Sequence, residues 1–435
     1  MANTTLLSAL ARCFASGEPT ADAIAGRAAV VLGRPWFWLR PLARRYLRLH
    51  AGRTRPRRRE VIRFLLGDDA FRSRAHKLAV AHWLTEPQRM LPAKAALQWG
   101  LPEIVTAGDL AEWLGIRTDE LDWFADLKGL NPRTRTPQLG HYVYKVLVKK
   151  HGGLRLIEAP KPRLKKIQRQ ILTGILNLVP VHAAAHGFCR QRCIRTFAEP
   201  HVGRRVLLRM DLQAFFPSLP AARIQAAFRT LGYPETVADL LAGLCTNRTP
   251  SSVWRTEGQM PAAPSLAEAR ALHDGPHLPQ GAPTSPALAN LCMYRADCRL
   301  TGLARNFGAV YTRYADDLAF SFDDEVNVRR FSLYAAAILL EEGFAVNHRK
   351  TRILPRSTRQ QLAGLVANVR LNVPRVEFDR LKAILTNCVR NGPANQNLSG
   401  VNDFRAHLNG RVAFVESIHP AKGQRLRLLF DKIHW

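Results

Sequence analysis

Two short stretches limit what this chain can fold into more than any other part of it. Residues 206–211 read VLLRMD, an apolar run that ends on an acid. Residues 310–322 read VYTRYADDLAFSF, two apolar runs joined by a tight Ala-Asp-Asp turn. Short apolar runs bounded by turn signals read as buried strands. Adjacent Asp residues are common, and Asp68-Asp69 and Asp323-Asp324 in the same chain carry no weight, for they lack such flanks. Asp316-Asp317 differ because carboxylates held between buried strands are costly without a compensating positive charge. A strand that ends on Asp211 beside a hairpin that turns on Asp316 and Asp317 would draw three carboxylates to one place.

The charge of the whole chain points to a polyanionic partner. Its 435 residues include 64 Lys and Arg against 34 Asp and Glu, a net charge of +30. Such an excess repels itself unless a polyanion neutralises it, and a phosphate backbone is the commonest one. Arg far outnumbers Lys, and its planar fork suits bidentate phosphate contacts and stacking. From Arg27 to Arg59 there is no acid, and Trp36, Phe37, Trp38 and Tyr46 interleave with the Arg residues. These aromatics either stack bases or form the core of a helical domain. Arg53–Arg59 reads as a basic loop. No apolar run approaches the roughly 18 residues of a membrane span. The first apolar stretch has no basic residue before it, so no secretory signal is expected. Seven Cys, an odd number, suit free thiols in a reducing cytoplasm.

Residues 103–130 predict a helical module with Thr106 and Asp109 as a capping box and Leu110, Trp113, Leu114, Leu121, Trp123 and Phe124 as its core. Asn131–Pro137 reads as a linker. Tyr142, Tyr144, Val146 and Val148 alternate as in a strand. His151-Gly152-Gly153 turns the chain, and Leu154 and Leu156 start the second arm of a hairpin. Lys161–Leu178 predicts a basic amphipathic helix, 221–231 and 236–245 two more, and 247–279 a polar loop. Helices are expected at 284–300, 328–342 and through most of the chain after 378, with a Gly/Pro/Asn loop at 391–400.

Three converging Asp beside a phosphate-binding surface suit an in-line attack on a nucleotide phosphate. Two Mg²⁺ about 3.5–4 Å apart stabilise the attacking and leaving oxygens in such reactions. Mg²⁺ takes oxygen ligands and keeps waters, so a few carboxylates suffice.

Tyr314-Ala315-Asp316-Asp317 resembles the YxDD box of reverse transcriptases. LPQGAPTSPALAN at 278–290 is similar to their nucleotide-pocket box, GGLRLIEAPKPRLKKIQRQIL at 152–172 to their fingers segment, and VHAAAHGF at 181–188 to a stretch of the bacterial enzymes. The boxes run in the family's order from about 142 to 364. Within the family the chain looks like the retron enzymes, in YTRYADDLAFS, HRKTR and HPAKGQRLR. It departs from them at Phe197-Ala198-Glu199-Pro200-His201, where they carry Asn-Ala-x-x-His, and at Leu362-Ala363-Gly364, where they carry Val-Thr-Gly. Both boxes are associated with choosing the cognate RNA. Ala214 stands where relatives often carry an acid.

The resemblance implies an α+β right-hand polymerase. A basic helical extension at 1–130 would precede fingers and palm at 141–370, the palm an antiparallel sheet backed by helices, and a helical thumb at 371–435. It implies RNA-templated DNA synthesis with two Mg²⁺ held by Asp211, Asp316 and Asp317. Phe216, five residues after Asp211, matches the steric gate that favours dNTPs over NTPs. Gln280 and Gly281 should lie against the nucleotide, Arg155 should hold its triphosphate, and Lys350 should sit near the leaving pyrophosphate. His182, His186, Cys189 and Cys193 have spacing that could suggest zinc, but the family match makes the two His structural. Retron enzymes copy part of a structured non-coding RNA into an RNA-linked DNA from an internal guanosine 2′-hydroxyl, and many serve in phage defence with an effector protein. Competing readings are a defence-associated relative that makes untemplated DNA, and a silent RNA-binding scaffold. The three intact Asp argue against the scaffold.

Overall fold

The computed structural model of the chain describes residues 4–50, 58–84, 89–131, 139–149, 153–255, 263–323 and 327–435. It divides into two compact units, Met1–Arg89 and Met90–Trp435.

The first unit is helical: α1 (Thr4–Ala15), α2 (Ala21–Val31), α3 (Leu39–Leu49), α4 (Arg58–Gly67) and α5 (Asp69–Ala75). Thr20 caps α2 and Asp68 caps α5, each accepting a backbone N–H of the first turn. In α3 the residues Leu39, Leu42, Ala43 and Tyr46 fall on one buried stripe, and Arg40, Arg44, Arg45 and Arg48 on the exposed side. This sorts the aromatics of the basic segment. Trp38 and Tyr46 are core residues at 4% and 2% exposure, whereas Phe37 is 83% exposed. Trp36 is half-buried, with the Arg34 guanidinium 3.9 Å from its ring centroid. Of the expected basic loop, residues 53–57 lie outside the described residues, and Arg58 and Arg59 begin α4.

The second unit starts with α6 (Ala107–Leu114) and α7 (Thr118–Ala125), and Thr106 and Asp109 form the expected capping box. Leu110, Leu114 and Leu121 sit in one core with the hairpin and helices that follow. The compact boundary therefore falls at 89/90 rather than at 130, because the apolar faces of these two helices find their partners downstream. Of the expected linker, residues 132–137 lie outside the described residues. Strands β1 (Tyr142–Val148) and β2 (Leu154–Pro160) pair antiparallel, Val148 opposite Leu154. His151 and Gly152 of the expected turn are outside the described residues. Next, α8 (Pro162–Gly174) buries Leu164, Ile167 and Ile171 and exposes Arg163, Lys165, Lys166 and Arg169.

The centre of the unit is an antiparallel sheet. Its strands are β3 (Val206–Asp211), β4 (Val310–Tyr314), β5 (Asp317–Phe322) and β6 (Arg352–Pro355), in the order β4-β5-β3-β6. Successive residues of a strand face opposite ways. Leu208, Met210, Leu318, Phe320 and Phe322 enter a core shared with α10 (Ala221–Thr230), α11 (Glu235–Cys245), α13 (Ser285–Asn306) and α14 (Val328–Glu341). Leu207 and Ala319 face the other way, into a core with α9 (Ile194–Ala198), α15 (Arg375–Asn391), α16 (Phe404–Ile418) and α17 (Pro420–Phe430). Burial on both faces is why these strands read as apolar runs with little alternation.

Several elements escape the sequence reading. A helix, α12 (Ala263–His273), lies inside the expected loop 247–279, β6 follows Lys350, and β7 (Gln361–Leu362) and β8 (Leu365–Val366) make a small hairpin. All are short, and β6 is mostly exposed, so none carries a periodic apolar signal. Among the described residues no helix is long and apolar enough to cross a membrane.

Candidate active site

Backbone pairing, before any side-chain contact, draws the acids together. Register sets Asp211, the last residue of β3, opposite Asp317, the first of β5. Leu212 N then donates to Asp316 O at 3.0 Å. The β4–β5 connection is a two-residue loop, Ala315-Asp316, with Ala315 at φ +55°. Two-residue hairpin loops need a positive φ at their first position. Gly187 packs directly on this loop, and a Cβ there would lie 2.4 Å from Ala315 N.

A buried ion pair supports the hairpin from behind. Arg313, fully buried on β4, donates Nε and Nη2 to the two oxygens of Asp297 on α13 at 2.9 and 2.7 Å. Its Nη1 reaches Asn290 Oδ1 and Ala315 O, each at 3.0 Å. Tyr311 Oη also donates to Asp297, at 2.7 Å. Every polar atom of the pair is used, as a buried pair requires. None of these residues was singled out as functional from the sequence. An Arg inside the apolar run of β4 was the available signal.

The three acids differ in their partners. Asp211 is buried and takes Lys350 Nζ at 3.0 and 2.9 Å on its two oxygens. Asp317 accepts from Arg209 Nη2 at 2.8 Å, where both side chains are partly exposed. Asp316 forms no ion pair among the described residues. Burial raises its carboxyl pKa above the ordinary range, and the nearby charge of Asp211 raises it further. Lys149 also feels this cluster. Partial desolvation of its ammonium lowers its pKa, Arg155 and Lys350 lower it further, and Asp211 and Asp316 act the other way.

Phe216, half-buried, follows Asp211 by five residues and packs against Phe215 and the exposed Phe188, ring centroids 5.4 and 6.2 Å away. Gln280 O accepts from Glu158 N of β2 at 2.8 Å. Gly281 has φ +136°, and a Cβ there would come within 2.9 Å of Glu158 O, so only glycine fits without strain. The Pro-Gln-Gly segment is thus bound to β2, the strand on which Arg155 is exposed opposite Leu147. Among the described residues Phe216, Gln280 and Arg155 make no hydrogen bond or ion pair with the three acids, whereas Lys350 does.

The other singled-out residues are structural in their contacts. His182 Nδ1 accepts from Ala184 N at 3.1 Å, and His186 Nδ1 meets Thr196 Oγ1 at 2.9 Å. Their segment runs beside β4, with His186 N donating to Arg313 O. His201 is buried between Ser321 Oγ and Thr312 Oγ1 at 2.7 and 2.8 Å, and burial pushes its pKa down to about 3. Ala363 and Gly364 form the tip of the β7–β8 hairpin at φ +44° and +86°. All seven cysteines are free thiols.

A sheet carrying these acids defines a polymerase of the reverse-transcriptase class, and residues 147–363 match the reverse transcriptase (RNA-dependent DNA polymerase) family. The chain is 41% identical over 340 residues to the retron Mx65 reverse transcriptase of Myxococcus xanthus, covering 78% of this chain and 74% of the relative. It is 35% identical over 376 residues to the retron Mx162 reverse transcriptase of the same organism, covering 80% and 72%. A solved foamy viral protease-reverse transcriptase with double-stranded DNA aligns over 67% of this chain and 39% of its own, at a TM-score of 0.37 and 17% identity. The chain belongs to the retron reverse transcriptases and is an RNA-directed DNA polymerase.

Proposed function

We propose that this enzyme copies part of a structured non-coding RNA into DNA that stays linked to that RNA, using dNTPs and two Mg²⁺ held by Asp211, Asp316 and Asp317. The observation that carries this reading is the convergence of the three acids at the β3 end and the β4–β5 loop. Their donor set fits the metal: all are hard oxygen ligands, and Asp316 is a half-buried carboxylate with no ion-pair partner among the described residues. When bound, the ions would supply Lewis-acid stabilisation to the attacking and leaving oxygens.

The chain's own residues do the rest. The Arg313–Asp297 pair keeps the loop rigid, so the acids keep their spacing without substrate. The Lys350 ammonium, on Asp211, balances charge where pyrophosphate would leave. Arg155 and Lys149 offer cations to the triphosphate. Phe216 closes the space beneath the sugar against a 2′-hydroxyl. Gln280 and Gly281 line the base and sugar side of the pocket, Gly281 letting backbone approach closely. In domain terms, residues 141–370 act as fingers and palm, 371–435 as the thumb, and the basic first unit as an RNA-gripping extension. A cytoplasmic role in phage defence with an effector protein fits the family and the net charge.

The test is primer extension on an RNA template by Asp316→Asn/Asp317→Asn. Incorporation should fall by about 10²-fold or more, and wild-type levels of synthesis would sink the metal assignment. Sequencing the nucleic acid that copurifies with the wild type should return one RNA joined to complementary DNA through a 2′–5′ branch. Random DNA would favour untemplated synthesis instead.

A further inference from the structure

A second set of donor atoms lies apart from the three acids, behind the Pro-Gln-Gly segment. Glu158 on β2, His273 at the end of α12 and His277 just before Leu278 are all buried, at 0%, 5% and 2% exposure. One ligand atom from each lies within 4.8 Å of the other two.

The hydrogen bonds around this group fix where its lone pairs point. His273 Nδ1 lies 2.7 Å from Ala269 O, and His277 Nδ1 lies 2.8 Å from Gly275 O. A carbonyl oxygen can only accept, so both Nδ1 atoms carry the proton. In a neutral imidazole the lone pair is then on Nε2. His273 Nε2 is buried and has no hydrogen-bond partner among the described residues. Burial holds its pKa below the ordinary histidine value, which keeps that lone pair free. His277 Nε2 lies 2.9 Å from Glu158 Oε2. Two acceptors cannot sit so close without a cation or a proton between them. The other oxygen, Glu158 Oε1, is already taken by Asn247 Nδ2 at 2.8 Å and Thr249 Oγ1 at 2.9 Å, which leaves Oε2 to face the imidazoles. Imidazoles that donate Nδ1–H to backbone carbonyls while Nε2 faces inward are the usual outer support of zinc-ligating histidines.

The geometry points to a zinc site formed by His273 Nε2, His277 Nε2 and Glu158 Oε2, which clamps α12 and the nucleotide-pocket segment to β2. Ligands about 2.0–2.1 Å from Zn²⁺ in a tetrahedron are roughly 3.3 Å apart. The present spacings do not exceed 4.8 Å, so the ligand atoms need to close by about 1.5 Å at most to reach that geometry, within reach of side-chain rotation. Two imidazoles and one carboxylate suit Zn²⁺ far better than Mg²⁺, which seeks oxygen alone. One coordination position is left for water. Zinc needs both imidazole Nε2 atoms unprotonated and the carboxylate ionised, so binding weakens as pH falls. The clamp is structural in effect. Glu158 N and O already meet Gln280 O and the Gly281 backbone, so holding the Glu158 side chain fixes the pocket floor.

The test uses the full chain, purified with zinc and dialysed in excess Mg²⁺, which occupies the catalytic acids. Metal analysis should find about one zinc per chain in the wild type and a tenth of that or less in His273→Phe, a variant that keeps the ring volume. Equal zinc in the two proteins, or none in the wild type, overturns the site. A second measurement needs no variant: Co²⁺ added to metal-free wild type should give the intense visible bands of a tetrahedral site, saturating at one equivalent. Only the faint absorption of six-coordinate Co²⁺ would also overturn it. Where zinc is bound, its removal should lower the wild-type Tm and leave that of His273→Phe unmoved.

Discussion

Two carboxylate clusters meet the β4–β5 hairpin, one centred on Asp297 of α13 and one on the Asp316 loop, and they are built on opposite terms. Asp297 meets Arg313 with both oxygens and also accepts from Tyr311, so its charge is fully answered inside the protein. Asp316, in the loop that Arg313 braces through Ala315 O, is answered by no ion pair among the described residues. The first cluster is complete without any ligand and holds the backbone still. The second is left electrostatically short of positive charge, and that shortage is what a metal or a phosphate-bearing substrate complex can satisfy. Stability and function are thus divided between neighbouring acids of one residue type.

Breaking the complete cluster should have the largest effect. Asp297→Ala strands a buried guanidinium, and loss of one partner from a buried pair costs about 3–5 kcal/mol, to be read by urea denaturation. The paired replacement Asp297→Leu with Arg313→Met should recover most of that loss, because well-packed apolar groups of similar volume can stand in for a buried pair. If the single and double variants are equally unstable, the pair is not the brace described here.

Asp316→Asn should act in the opposite sense. The folded carboxyl has a raised pKa, from burial first and then from Asp211. A raised folded pKa means that the group's favourable contribution is complete below the ordinary Asp value of 3.8 and is lost as pH rises through the folded value. At neutral pH in metal-free buffer the ionised acid therefore destabilises the fold. Asp316→Asn should raise the Tm there, and the gain should shrink towards nothing in acid. A lower Tm at neutral pH would contradict the shortage of positive charge at this acid. Arg209→Met should change least. Its pair with Asp317 is partly exposed, and such pairs are worth about 0–1 kcal/mol. A loss of several kcal/mol would show that Asp317 belongs with the complete cluster instead.

The strands and acids of the site were legible because VLLRMD and VYTRYADDLAFSF carry their burial in their composition, and an acid in such a run is conspicuous. The capping box of α6 was legible for a similar reason, since its Thr-x-x-Asp pattern is local. Other features were hidden. The destination of α6 and α7 depended on where their apolar faces dock, and the pattern of a helix does not name its partner. α12 lay within a polar, Pro-containing stretch with too few apolar positions to announce a helix. Trp38 and Phe37 are adjacent aromatics with opposite fates, and only the packing of α3 separated them. The Glu158–His273–His277 group spans more than a hundred residues of chain, and no spacing rule connects its members.

The sequence by itself determined the chemistry available: three acids at strand ends and turns, a phosphate-seeking net charge and the order of the polymerase boxes. Those are local properties, set by neighbours along the chain. Only the tertiary structure decided which charges are answered and which are left open, because that depends on groups brought from distant segments, such as Arg313 to Asp297, Lys350 to Asp211 and, among the described residues, none to Asp316. Electrostatic energy in a buried site follows distance and desolvation, and neither exists until the chain has folded.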